Sequence, residues 1–196
     1  SLANRILKIP MSVLGNAISQ VFFQTSSKLK SENPNNIKVV TYKVYKIMLV
    51  VGIIPLATIF GFGDLIFAFV FGEAWFNAGV YSRLLSIWLL LVFVSSPISM
   101  MFTVMEREGV LLLFNISIFI CRTISLLVGV VFFKDPLITV LLFASTGAIF
   151  WLWHCAYILK IVGISYFKSI GYTCLIIILG FSTSLLIRFL FLQNLW

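Results

Sequence analysis

The stretch "FNISIFICRTISLLVGVVFF" (114–133) is almost unbroken hydrocarbon with one arginine, Arg122, near its middle. A water-soluble core helix would not bury a permanent cation among leucines and phenylalanines. A membrane span would, if the cation met a partner, a cavity or an anion. Similar runs recur along the whole chain, which constrains its architecture more than any motif does. Apolar residues make up 61% of the sequence and charged residues 10%, against about 45–50% and about 25% in globular proteins. There is too little polar side chain here to coat a compact soluble fold. The expected fold class is an all-α integral membrane protein, because the runs are continuous and lack the period-two alternation of barrel strands.

A span needs roughly 20 mostly apolar residues. Six segments qualify, over about 6–23, 46–72, 79–105, 109–133, 137–159 and 169–191, in one bundle covering 1–196. The connection 24–45 carries Lys28, Lys30, Lys38 and Lys43, with Lys46 at its end, against the single acid Glu32. The turn at 106–108 holds Arg107, and 160–168 holds Lys160 and Lys168. The connections at 72–79 and 134–136 lack this excess. The positive-inside rule puts 24–45, 106–108 and 160–168 in the cytoplasm, with short turns making sequential helices antiparallel neighbours. That pattern also accounts for the net charge of +8, with no basic–aromatic stripe that would point to nucleic acid. The sequence starts at Ser1 rather than Met and is read as a piece of a longer protein.

Polar residues inside the spans line up. Asn115, Ile118, Arg122, Ser125 and Gly129 share one face of the fourth span. Arg122 has roughly 16 Å of helix on either side at 1.5 Å per residue, too far to snorkel easily. It either bonds to carbonyls of neighbouring helices or faces a cavity or an anion. In the first span Arg5, Lys8, Ser12, Asn16 and Ser19 share a face. They are either end anchors with interhelical glue or a second cationic stripe. Arg83 lies about one turn inside the third span, as an interfacial residue or a ligand. Thr173, Ile177, Gly180, Ser184 and Arg188 align in the last span as a close-packing stripe. Asp64 is the only acid well inside an apolar stretch. It pairs with Arg83 or another outer cation, or it binds a coupling proton or Na⁺. His154 is either an interfacial hydrogen-bonder or a proton relay. Cations outnumber acids at depth, which suits a phosphate or pyrophosphate substrate, since the arginine fork matches phosphate geometry.

Enzymatic signatures are missing. There is no phosphate-binding loop of the G-x-x-x-x-G-K-[ST] type, no H-E-x-x-H and no G-x-S-x-G. Glu106 and Glu108 are two apart, a poor acid/base pair on a helix. Cys121, Cys155 and Cys174 lie within apolar runs without paired spacing, and His154 stands alone, so neither a metal site nor a cofactor is implied.

The segments "SLANRILKIPMSVLGNAISQVFF" (1–23) and "FGDLIFAFVFGEAWFNAGVYSRLLSIWLLLVFVSSPISMMFTVMEREG" (62–109) resemble the carboxy-terminal half of O-antigen/polysaccharide repeat-unit flippases. These belong to the multidrug/oligosaccharidyl-lipid/polysaccharide (MOP) exporter superfamily. The resemblance covers residues 1–110 by motif and the remainder by hydropathy. It implies one lobe of a two-lobed transporter, with the amino-terminal lobe absent. It implies a bacterial inner-membrane protein that moves a polyprenyl-pyrophosphate-linked oligosaccharide from the inner to the outer leaflet by alternating access. Arg122, Arg5 and Arg83 would attract the pyrophosphate, with Asn115, Ser125 and Asn16 lining the same cleft and Asp64 as the candidate for ion coupling. Membrane lipids, a polysaccharide polymerase and chain-length proteins are the partners implied. One departure stands: the last span counted here ends outside, whereas a twelve-helix member finishes inside. Rivals are a cation-coupled multidrug exporter of the same superfamily, which predicts acids in the cleft, and a membrane-embedded glycan polymerase or ligase, which predicts a large outer loop. A non-catalytic membrane subunit of a polysaccharide assembly complex predicts polar stripes satisfied by neighbouring helices.

Overall fold

A computed structural model describes residues 18–193. Every regular element among them is helical. The chain runs through α1 (18–32), α2 (Asn35–Phe71), a single 3₁₀ turn (Glu73–Trp75), α3 (Phe76–Ile98), the one-turn α4 (Met101–Val104), α5 (Glu108–Val128, closing in a π turn, Gly129–Phe133), α6 (Pro136–Ile161) and α7 (Tyr166–Gln193). Five of the described segments are long and apolar enough to cross a membrane: 35–71, 73–104, 108–133, 136–161 and 166–193. The protein is an all-α, multi-pass membrane bundle. Most of the expected first span, 6–23, lies outside the described residues.

The expected loop over 24–45 is helical. Only Asn33 and Pro34 interrupt it, between α1 and α2. Proline has no amide hydrogen to donate and pushes the preceding residue out of helical geometry, so the break falls there and nowhere else. Beyond it, Ile37, Thr41, Tyr45 and Met48 are buried at helical spacing. Lys38, Val39 and Lys43 are exposed on the other side. The lysines therefore decorate a helix whose inner face packs, and α2 begins eleven residues before the expected position 46. Its 37 residues span about 55 Å at 1.5 Å each, well beyond the roughly 30 Å hydrocarbon core.

α2 and α3 form the centre, packed antiparallel along most of their length. α6 lies on α3, α7 leans on α2 and α6, and α5 sits outermost, on α6. The core is built from Tyr45, Met48, Leu49 and Leu56 of α2, Leu90, Val94 and Ile98 of α3, and Ile158 and Leu159 of α6. At the end away from the lysine cluster α2 and α3 meet backbone to backbone. A Cβ on Gly79 would strike the carbonyl of Gly63 and come within 2.6 Å of the Asp64 Cα. Side chains would force the helices apart there. Large apolar side chains cover the periphery, with Phe119 at 72% and Phe132 at 78% exposure. In water this would be a severe aggregation liability, whereas against lipid it costs nothing.

The basic connections gather at one end of the bundle. Lys30 of α1 bonds Glu106 at the α4–α5 turn (2.7 Å). Lys38, Lys43 and Lys46 of α2 border a groove shared with Lys168 at the start of α7. The alternation of the chain between two ends agrees with the antiparallel order expected from the charge pattern.

Candidate functional site

Three helices supply the surroundings of Arg122. Its guanidinium carbon lies 3.9 Å from the ring centroid of Trp88 (α3) and 4.2 Å from that of Phe143 (α6). The two rings stand at 80° to each other, so the cation occupies the corner between them. Nη2 presses against Gly147 of α6, where a Cβ would collide with it and crowd the Trp88 ring at 2.9 Å. Glycine at 147 is what lets an arginine from α5 lie flat on the α6 backbone. Cation–π attraction reaches about 2 kcal/mol or more when the pair is desolvated. That is the same order as the roughly 2.5–3.5 kcal/mol insertion cost of a mid-span arginine.

The rings do not satisfy the hydrogen-bond donors. Nε and Nη2 of Arg122 are buried without a partner among the described residues, as is Nε1 of the neighbouring Trp88. No carboxylate among the described residues pairs with Arg122. Ser125, one turn further along α5, is spent on architecture, with its hydroxyl bonding the Cys121 carbonyl (2.8 Å) and Thr146 Oγ1 on α6 (2.7 Å). Ile118 is buried in the α5–α6 seam. Asn115 is exposed on the bundle surface. The polar stripe is thus split: Arg122 and Ser125 turn into the bundle while Asn115 stays outside it.

Asp64 forms a second charged cluster, toward the other end. It is 2% exposed. Arg188 of α7 meets it with both terminal nitrogens, Nη1 to Oδ1 at 2.8 Å and Nη2 to Oδ2 at 2.7 Å. Arg83 of α3 adds Nη1 to Oδ2 at 3.1 Å. The arginines also donate into α2 itself, Arg83 Nε to the Phe60 carbonyl (2.7 Å) and Arg188 Nη1 to the Gly61 carbonyl (2.6 Å). Two cations share one carboxylate, leaving one positive charge in surplus. The anticipated Asp64–Arg83 pair is present, and Arg188, assigned from sequence to a packing stripe, is the stronger partner. The small residues of that stripe pack as expected: the Ser184 hydroxyl donates to the Ala57 carbonyl (2.5 Å), and Thr173 meets Tyr45 of α2.

His154 of α6 is buried inside an aromatic box, with ring centroids of Phe114, Trp151 and Phe102 at 4.3, 4.9 and 5.2 Å. Neither ring nitrogen has a hydrogen-bond partner among the described residues, so the interfacial hydrogen bond expected of it is not made there. No group of three residues able to hold a metal ion occurs among the described residues. Arg5 and Asn16 lie outside the described residues. Trp88, Phe143 and Gly147 were missed by sequence reasoning, since nothing in an apolar run marks which ring a distant cation will meet. Arg188 was within reach, as a cation at helical spacing from Ser184 facing the only buried acid among the described residues. Comparison of the chain with family models, with curated proteins and with solved structures finds no match.

Proposed function

We propose that this bundle is one lobe of a flippase that carries a polyprenyl-pyrophosphate-linked oligosaccharide from the inner to the outer leaflet of a bacterial inner membrane. The basic end, including 24–45, would face the cytoplasm. The single observation that carries the reading is the state of Arg122. A permanent cation sits deep in a span, held in place by two rings, with donors unspent and no carboxylate opposite. The other two arginines inside the described spans share Asp64. An anionic group that displaced the packing around α5 would find an oriented guanidinium with two unpaired donors, as a diphosphate requires. The resemblance of residues 1–110 to repeat-unit flippases supports the same substrate class, and the exposed face of α5 leaves room for a second lobe. Polymerase and chain-length proteins acting on the exported unit would be its partners.

The cation-coupled exporter reading is disfavoured by Asp64, whose oxygens are already occupied by two arginines. A purely architectural role has one observation in its favour, the aromatic corner that holds Arg122. Flipping of a fluorescent polyprenyl-pyrophosphate glycan by the whole protein in proteoliposomes decides between them. Arg122→Lys keeps the charge and loses the fork, and Arg122→Gln loses the charge. Transport should fall at least tenfold in both while thermal stability changes little. Loss of stability with unaltered transport per folded molecule would make Arg122 architecture.

A further inference from the structure

The basic end holds a groove of about 800 Å³ between the first turns of α2 and the α6–α7 turn, lined by Lys38, Tyr42, Lys43, Lys46, Ser165 and Lys168 among others. The four lysines converge from two helices, and none is in an ion pair with a described acid. Of the nearby acids, Glu32 is 3.9 Å from Lys28 and Glu106 is bonded to Lys30. Lys46 is held with Nζ 4.3 Å from the Tyr42 ring centroid, which fixes one ammonium at the groove wall rather than in bulk water. The lining also includes the apolar Val39, Ile47 and Ile164. α7, 28 residues long, starts at the groove, and the positive end of its dipole adds to the field. Positive charge without counter-ions, beside hydrocarbon and at the end of a membrane bundle, fits one kind of occupant.

We infer that this groove binds the phosphate headgroup of an anionic membrane lipid, with the lysines on the phosphate and the acyl chains continuing along Val39 and Ile47. Basic pockets between spans at the cytoplasmic face favour such headgroups because several cations act on one anion inside a Debye length. The site stands apart from the transport reading, since it needs neither Arg122 nor a second lobe.

Native mass spectrometry of the detergent-solubilised protein with phosphatidylglycerol and phosphatidylcholine tests it. The wild type should retain phosphatidylglycerol preferentially. Lys38→Gln/Lys43→Gln/Lys46→Gln/Lys168→Gln should lower that retention about tenfold or more, since each lysine near an anionic surface contributes severalfold. The matched arginine variant should keep it. Lys28→Gln/Lys160→Gln, at the same end but outside the groove, should stay within about twofold. Equal loss in both glutamine sets per charge removed, or no preference in the wild type, would overturn the site. Displacement of the lipid by millimolar inorganic phosphate would overturn the lipid as occupant and leave a free-anion site. None of these lysines is buried, a thermal melt of each variant checks that it folds, and transport by Arg122 variants is read separately.

Discussion

Arg188 holds Asp64 in a two-pronged grip, Nη1 on Oδ1 at 2.8 Å and Nη2 on Oδ2 at 2.7 Å, across 124 residues of sequence. This pair, with Arg83 beside it, ties α7 and α3 to the middle helix α2. Asp64→Asn leaves two membrane-embedded arginines without a counter-ion. It should destabilise the protein by about 3–5 kcal/mol, the usual cost of breaking a buried pair from one side. Asp64→Leu/Arg188→Leu should recover part of that, because the second change removes one stranded charge. Thermal unfolding in detergent is the measurement, and equal losses for the single and double variants would deny the coupling.

Gly79 lets the backbone of α3 rest on that of α2. Gly79→Ala puts a methyl group onto the Gly63 carbonyl and the Asp64 Cα, backbone that has nowhere to go. A loss of about 1–3 kcal/mol is expected from overpacking. Gly109→Ala, where nothing lies within 4 Å of the added Cβ, should be tolerated in the same assay.

Gly147 and Arg122 should be energetically coupled. Gly147→Ala displaces the guanidinium from the Trp88–Phe143 corner. In Arg122→Ala the guanidinium is gone and only Trp88 Cδ1, 2.9 Å from the added Cβ, must give way, so the same methyl should cost less. A double-mutant cycle should give a coupling of about 1 kcal/mol or more, as contacting residues do. Additive effects would mean that the guanidinium does not rest on α6.

The Lys30–Glu106 bond joins α1 to the α4–α5 turn at the solvated end, and the hydrogen bond from the lysine holds the Glu106 carboxyl below its usual range. A depressed carboxylate contributes stability above its unfolded pKa and loses it as pH falls through the folded value. The α1–turn contact should therefore persist at neutral pH and loosen on acidification below the ordinary carboxylate range. It should weaken with salt, because both groups meet water. Spin labels on Ser27 and Gly109 should report a distance that broadens at low pH, and Glu106→Gln should remove that pH response.

How far the sequence carried the fold is clearest at α2. Hydropathy located its apolar part, 46–72, but treated 35–45 as a loop because lysines dominate the average there. The structure continues the helix because Ile37, Thr41 and Tyr45 keep one face packed, a period that a mean over the segment erases. The opposite error occurs on α5. Helical spacing correctly grouped Arg122 and Ser125, yet Asn115 was placed with them when it stays outside the α5–α6 seam. A shared stripe does not say how far along its length a neighbour extends.

Membrane residence, the helical class, the alternation of the chain and the collection of positive charge at one end were determined by the sequence alone. Each depends on the transfer of a residue between water and hydrocarbon, a property it carries whatever its neighbours are. The tertiary structure decided that Arg188 rather than Arg83 grips Asp64 in two-pronged fashion, that Trp88, Phe143 and Gly147 receive Arg122, and that Lys168 joins three lysines of α2 across a groove. These depend on the order and rotation of helices that are distant in sequence. In hydrocarbon nearly every rotation buries apolar surface equally well against lipid or protein, so only close packing and the few charge contacts select among them.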